Sequence, residues 1–178
     1  TYNWYAVDRL EYIRDIFLGL IPEYENVDLI LCMSVQALVM NFNKRIEDFT
    51  DSDHDFFVTR DCGDINMGSF IIRKSEWSIG FLNFVLSEQN RSTLEHDGWH
   101  EQRVFIDNYT RPEFVDKIKV LPQNTINSYD YTLYNWTVTT PGHIQPGDFI
   151  FSYPGAQYNL PGNLVEVRCV KLREMIQK

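Results

Sequence analysis

Apolar residues recur along the chain with helical and extended spacings, and these mark out the elements. From Trp4 to Leu20 the spacing is helical, with Val7, Leu10, Ile13 and Phe17 on one stripe, and Gly19 and Pro22 close the segment. Val27 to Met33 is a short unbroken apolar run, which predicts a buried parallel strand. It ends at Ser34-Val35-Gln36, and Ala37 to Met40 leads on as a short helical or looped segment. The stretch from Phe56 to Leu86 organises the rest. Its middle reads as a polar loop carrying Asp61, Asp64 and Asn66 up to Gly68, followed by an extended run over Ser69 to Arg73. Ser75 is placed to cap a helix with Glu76 in its first turn and Trp77, Phe81, Phe84 and Val85 on one face.

Further along, Glu88 to Gly98 is polar and reads as a loop. A helix opens at Trp99-His100-Glu101-Gln102, carries Val104, Phe105, Ile106 and Tyr109, and stops at Arg111-Pro112. Lys117 to Leu121 and the aromatic, β-branched segment Tyr129 to Thr139 read as strands. Pro146-Gly147-Asp148 signals a turn before a second buried strand, Phe149 to Tyr153. Leu164 to Lys178 reads as a terminal helix. Strands alternating with helices predict an α/β fold with a mixed sheet.

The 178 residues suffice for one domain with a sizeable core. The net charge of −9 and the absence of a basic stripe argue against a nucleic-acid partner. No apolar run approaches the ~20 residues of a membrane helix. Cys32, Cys62 and Cys169 are odd in number and widely spaced, so they indicate neither a disulfide framework nor a zinc site. Three Asn-x-Ser/Thr tripeptides, at Asn90, Asn108 and Asn135, are expected by chance in a chain this rich in those residues.

Two segments invite a chemical reading. Asp51-Ser52-Asp53-His54-Asp55 is the most acidic run, but Phe56 and Cys62 stand where a calcium loop needs Gly and Glu, so a solvated loop is expected. At the other segment, Asp61, Asp64 and Asn66 sit beside a glycine at the end of a strand. That arrangement suits a polar-ligand site of an α/β protein, or a turn whose side chains satisfy their own backbone.

Three blocks together resemble a known family. The first runs from Leu29 to Asn41, an apolar strand followed by x-x-x-A-L-V-M-N. The second is D-x-x-x-x-N-x-G-x-F-x-x-R-x-S-x-W-S-x-x-F-L from Asp61 to Leu82, with W-H-E-Q downstream at Trp99 to Gln102. The third is P-G-D-F-x-x-x-x-x-G from Pro146 to Gly155. They resemble the retaining, GT-A fold glycosyltransferases that include fungal α-mannosyl and α-galactosyl transferases and plant xyloglucan xylosyltransferases. The small size is similar to that of virus-encoded members such as those of chlorella viruses. The resemblance covers most of Trp4 to Gly155.

It implies a GT-A-like, Rossmann-like α/β domain over residues 1–178, with a mixed, mostly parallel sheet flanked by helices and with the family's first nucleotide-binding strand lying before Thr1. It also implies transfer of a sugar, with retention, from a nucleotide diphosphate sugar to a glycan or glycoprotein acceptor. Family members hold Mn²⁺ or Mg²⁺ on a D-x-D motif and a His, because the ion stabilises the charge of the departing diphosphate. Here the corresponding positions are Ser34-Val35-Gln36 and Ser152, and no carboxylate lies between Asp28 and Glu47. Ser34, Val35 and Gln36 are then nucleotide-binding positions with neutral side chains in place of ion ligands, which argues against metal-dependent catalysis. His143 is the one histidine near the third block.

The resemblance carries catalytic roles to Glu101, Gln102 and Asp64, with Glu101 and Gln102 near the reacting anomeric carbon. Asp61, Asn66, Gly68, Trp99 and Gly155 are carried over as substrate-binding positions. Gly155 and the loop to Gly162 either close over the diphosphate or form an ordinary surface turn. Trp77 sits on a helix stripe and is expected to pack in the core. A metal-free enzyme, a catalytically impaired relative that binds nucleotide sugars or glycans, and an altered enzyme all fit this pattern. A hydrolase using the Asp51–Asp55 run with Asp61 is a remote third reading.

Overall fold

A computed structural model describes residues 4–134 and 141–153. In chain order its elements are α1 (Trp4–Phe17), β1 (Leu29–Met33), β2 (Ala37–Val39), β3 (Phe56–Asp61), β4 (Asp64–Arg73), α2 (Glu76–Val85), α3 (Arg91–His96), α4 (His100–Asn108), β5 (Ile118–Leu121) and β6 (Ile150–Ser152). Short 3-10 turns fill several of the connections.

The periodic segments fold as their spacing dictates. Leu10, Ile13, Ile16 and Phe17 of α1 are buried. Gly19, at φ +73°, ends that helix: its N–H reaches the Ile16 carbonyl at 3.0 Å, and the Leu20 N–H reaches Asp15 at 2.9 Å. This paired arrangement closes helices through a left-handed residue, which glycine adopts without a Cβ penalty. Ser75 caps α2, its hydroxyl accepting the Ser78 N–H at 3.1 Å.

Four strands form one sheet in the order β1-β4-β3-β5, and β2 with β6 forms a second. The mixed α/β class with flanking helices is the expected one. Strand direction departs from the expected parallel predominance: among the described ladders, β3–β5 alone is parallel, while β1–β4, β3–β4 and β2–β6 are antiparallel. The cause is local. Only Cys62 and Gly63 separate β3 from β4, too few residues for the crossover a parallel pair needs. β1, within the Val27–Met33 run, likewise lies antiparallel to β4, and its residues are half-buried rather than fully buried.

Other expectations shift in the same way. The polar loop expected in the middle of the central stretch is the β3–β4 hairpin. Ala37 to Val39 is a strand paired with β6. Glu88 to Gly98, expected as a loop, contains a 3-10 turn and α3, anchored by the single buried residue Leu94. Tyr131–Tyr134 forms a 3-10 turn where a strand was expected. Residues 135–139 of that expected strand, the loop from Gly155 to Gly162 and the terminal helix from Leu164 lie outside the described residues.

The sheet separates two apolar layers. On the helical side Phe56 packs against Phe70 at 5.0 Å and Phe105 at 4.8 Å between ring centres, with Phe81 edge-on. Trp77 stacks on Phe81 at 5.1 Å, the expected core role. On the other side Phe57 and Ile71 meet Leu121, Ile126, Phe149 and Ile150.

One irregularity positions the site. The β3–β4 register jumps from Val58↔Phe70 to Thr59↔Asn66, so Met67, Gly68 and Ser69 have no ladder partner on β3. A bulge of this kind frees backbone groups that must find partners elsewhere.

Candidate active site

The bulge's backbone groups are satisfied by three separate segments and by Asn66 of the same strand. The Met67 N–H donates to the Gln102 Oε1 at 2.9 Å, and the Met67 carbonyl accepts from the Arg9 guanidinium at 2.9 Å. The Gly68 N–H donates to the Asn66 side-chain oxygen at 2.7 Å, and its carbonyl accepts the Ser34 N–H at 2.6 Å. Met67–Gly68 is thus a hub joining α1, the end of β1 and the start of α4. Around it opens a cleft of about 720 Å³, lined among others by Arg9, Ser34, Val35, Gly68, Trp99, Glu101 and Gln102. That volume suits a small polar ligand or cofactor-sized molecule.

At the start of α4, Glu101 is buried and ion-pairs with Arg9. Arg9 also lies over the Phe70 ring at 5.6 Å. Because the Met67 N–H occupies the Gln102 oxygen, the amide orientation is fixed and the Nε2 group is the end that can donate into the cleft. Trp99 is 44% exposed and carries the Arg103 guanidinium over one face at 4.6 Å. His100 takes a left-handed backbone, φ 45°, steadied by its ring Nδ1 at 2.9 Å from the Leu94 carbonyl. A non-glycine residue held this way costs about 1–3 kcal/mol, and such strain gathers at functional sites.

The Ser34–Gln36 turn folds back on itself, the Gln36 N–H meeting the Ser34 hydroxyl at 3.2 Å. The Gln36 carbonyl accepts the Tyr153 N–H at 3.0 Å. Ser152 pairs with Ala37, so the third block arrives beside the first, and the Ser152 hydroxyl is buried without a partner.

Asp61 and Asn66 are not among the residues that line the cleft; they are bonded to each other, and Asn66 to Gly68. The Asp61 carboxylate accepts the Gly63 N–H at 2.7 Å, the Asn66 amide at 2.8 Å and the Tyr129 hydroxyl at 2.8 Å. Asn127 donates in turn to the Tyr129 oxygen at 3.0 Å. Burial, reinforced by the Asp61 charge, pushes the Tyr129 phenol well above its ordinary 10.0. This chain fixes the Asn66 side chain, which in turn holds Gly68. Asp64 lies apart from the cleft at the hairpin end, φ 90°, its carboxylate paired with Arg60 at 2.9 Å. Gly155 lies outside the described residues.

Ser34, Gln36 and Ser152 offer neutral oxygens where a hard divalent ion prefers carboxylates. Among the described residues no three His, Cys, Asp or Glu side chains gather closely enough to hold a metal ion. His143 sits instead against Tyr131, whose N–H approaches its Nδ1 at 3.3 Å. The donor set does not fit Mn²⁺ or Mg²⁺.

Arg9 is the residue that the sequence reading passes over. Its signal is its place on the α1 stripe, since Arg9, Ile13 and Ile16 share one face. A charge on a buried stripe needs a partner.

Comparison with known proteins agrees with this architecture. The chain is 37% identical over 79 residues to "Probable alpha-1,6-mannosyltransferase MNN10" of Saccharomyces cerevisiae, a match covering 42% of this chain and 20% of that protein. It therefore spans about a fifth of that relative's length. In fold it is similar to a glycosyltransferase involved in the glycosylation of the major capsid of PBCV-1, with a TM-score of 0.63 and 15% identity, over 97% of this chain and 77% of the other. It is also similar to the glycosyltransferase GlyE of Streptococcus pneumoniae TIGR4, with a TM-score of 0.53 and 13% identity, over 89% of this chain and 42% of that one. No described helix is long and apolar enough to cross a membrane. The family model described as "galactosyl transferase GMA12/MNN10 family" matches residues 20–159, and the chain belongs to that family of glycosyltransferases.

Proposed function

We propose that the cleft binds a nucleotide diphosphate sugar and that the chain transfers the sugar, with retention, to a glycan acceptor. One observation carries this reading: Ser34–Val35, Met67–Gly68 and Trp99–Gln102, from three separate stretches of the chain, line a single cleft. In this reading the Ser34–Gln36 turn meets the nucleotide, and the sugar lies against Gly68 and Trp99. Gln102 donates its amide N–H to the sugar or to the leaving oxygen. Glu101 supplies negative charge to the oxocarbenium-like centre that forms as the glycosidic bond breaks, a preorganised electrostatic contribution. Asn66, held by Asp61, keeps Gly68 in place and the sugar pocket open. A Cβ at Gly68 would meet the Asn66 oxygen at 2.7 Å, so a larger residue there would displace the Asn66 side chain.

The test is a donor panel of UDP-galactose, UDP-xylose and GDP-mannose, each offered with α-mannoside and β-glucan oligosaccharides. The GDP-mannose arm follows from the name of the yeast relative, and the UDP-galactose arm from that of the family. Release of nucleoside diphosphate with an α-linked product, read by NMR of the anomeric proton, is the expected result. Failure of every donor to bind at millimolar concentration counts against the reading. The neutral residues at positions 34, 36 and 152 favour a second reading, a nucleotide-sugar-binding relative without turnover. Saturable donor binding with no product from any acceptor selects it.

A further inference from the structure

We propose that the cleft binds its diphosphate without a divalent ion and that Arg9 supplies the positive charge in the ion's place. The inference rests on the nucleotide-sugar reading of the cleft. A departing diphosphate needs a cation, and the neutral side chains of Ser34, Gln36 and Ser152 do not fit one that is hard and divalent. Among the described residues lining the cleft, Arg9 is the one Lys or Arg.

Its position is built rather than incidental. Arg9 projects from α1 onto the hub, where it donates to the Met67 carbonyl at 2.9 Å and pairs with Glu101. Its Nε is buried without a partner. The side chain keeps 23% of its exposure, and the residue lines the cleft. Ser34 and Arg9 both bond the Met67–Gly68 dipeptide, which brings the guanidinium to the side of the cleft where the turn at Ser34 opens.

Guanidinium geometry suits phosphate oxygens and needs no deprotonated ligands to hold it. In the free protein Glu101 neutralises Arg9. When a diphosphate arrives, the guanidinium is shared between the two anions, and charges then alternate along the cleft from diphosphate to Arg9 to Glu101.

Isothermal titration of the intact chain with UDP and GDP, in excess EDTA and again in saturating MnCl₂ or MgCl₂, reads the proposal directly. Affinity is expected to change less than about threefold with metal, which is small on the scale of one charge-assisted hydrogen bond. Arg9→Gln is expected to weaken binding about tenfold or more. Glu101→Gln is expected to tighten it, because it frees the guanidinium and removes a repelling charge. A merely structural ion pair predicts weakening in both variants, and thermal melts identify any variant that has lost its fold. Should Arg9→Gln fail to fold, Glu101→Gln and the metal series still decide the matter.

Tight binding that appears only with metal overturns the Arg9 proposal and leaves the glycosyltransferase reading standing. The same holds for unaltered affinity in Arg9→Gln or weakened affinity in Glu101→Gln. No binding of UDP or GDP under any condition overturns both.

Discussion

Two parts of the molecule hold carboxylates and hydrogen-bonding side chains, and they use them oppositely. The Asp51–Asp55 run is dense in ligand-type residues, yet its first carboxylate, Asp51, is already engaged by protein partners. Asp51 accepts the N–H groups of Asp53 and His54 at 3.0 Å, the His54 ring at 2.8 Å and the Lys119 ammonium at 2.7 Å. The cleft around Met67–Gly68 is poorer in charge, but nearly every contact crosses the chain: Arg9 reaches Glu101 across 92 positions and Gln102 reaches Met67 across 35. The acidic run therefore spends its groups on its own turn and on Lys117 and Lys119, whereas the tied-down bulge leaves an open cleft beside it. A carboxylate already engaged by its own turn and by Lys119 has little left to offer a ligand.

The largest expected effect is at Glu101. Glu101→Ala leaves Arg9 largely buried without its partner and should cost about 2–3 kcal/mol in urea unfolding, somewhat under a fully buried pair because Arg9 keeps some contact with water. A loss no greater than that of an exposed ion pair would mean that the cleft is no better knit than the acidic turn. Next is Gln102→Ala, which strands the Met67 N–H and should cost about 1–3 kcal/mol while lowering donor affinity. An intact donor affinity at lowered stability would reduce Gln102 to a strut.

Tyr129→Phe is smaller, about 1 kcal/mol, the net worth of one hydrogen bond. It carries a pH signature. The folded phenol titrates well above 10.0, so the unfolded chain loses that proton first. The stability the phenol contributes is full below about pH 10 and declines as pH rises beyond it. The wild-type protein should therefore lose stability on the alkaline side more steeply than Tyr129→Phe. Equal slopes would show that the hydroxyl is not buried against Asp61 in solution.

Much of this organisation is legible in the sequence. The cap at Ser75, the α2 face and the Pro146–Asp148 turn before β6 all depend on neighbours within a few positions, and local pattern fixes them. The first two blocks, which line the cleft, are also visible as motifs. What escapes is whatever depends on pairing at a distance. The apolar run at β1 announces burial but not strand direction, which the two-residue hairpin between β3 and β4 and the pairing of β1 with β4 decide. A single buried leucine, Leu94, carries too little periodicity to announce α3. Asp64 stands two residues from Asn66 and reads as part of one constellation, yet the hairpin turns it outward to Arg60, while Asn66 remains tied to Asp61 and Gly68. Arg9 escapes because its partner lies three helices away.

The smallest expected effect is the one that tests the acidic turn itself. Hydrogen bonds from Lys119 and His54 hold the Asp51 carboxyl well below its ordinary 3.8. The unfolded chain therefore takes up this proton first as pH falls. The stability Asp51 contributes is full above about pH 4 and fades through the acid range. The side chain stays open to water, so the whole contribution should lie within about 1 kcal/mol. Asp51→Asn should accordingly shift the neutral-pH midpoint very little, flatten the acid limb slightly and leave UDP binding untouched. If it abolished UDP binding instead, the acidic turn and the cleft would be one coupled site, and the opposition between them would fail.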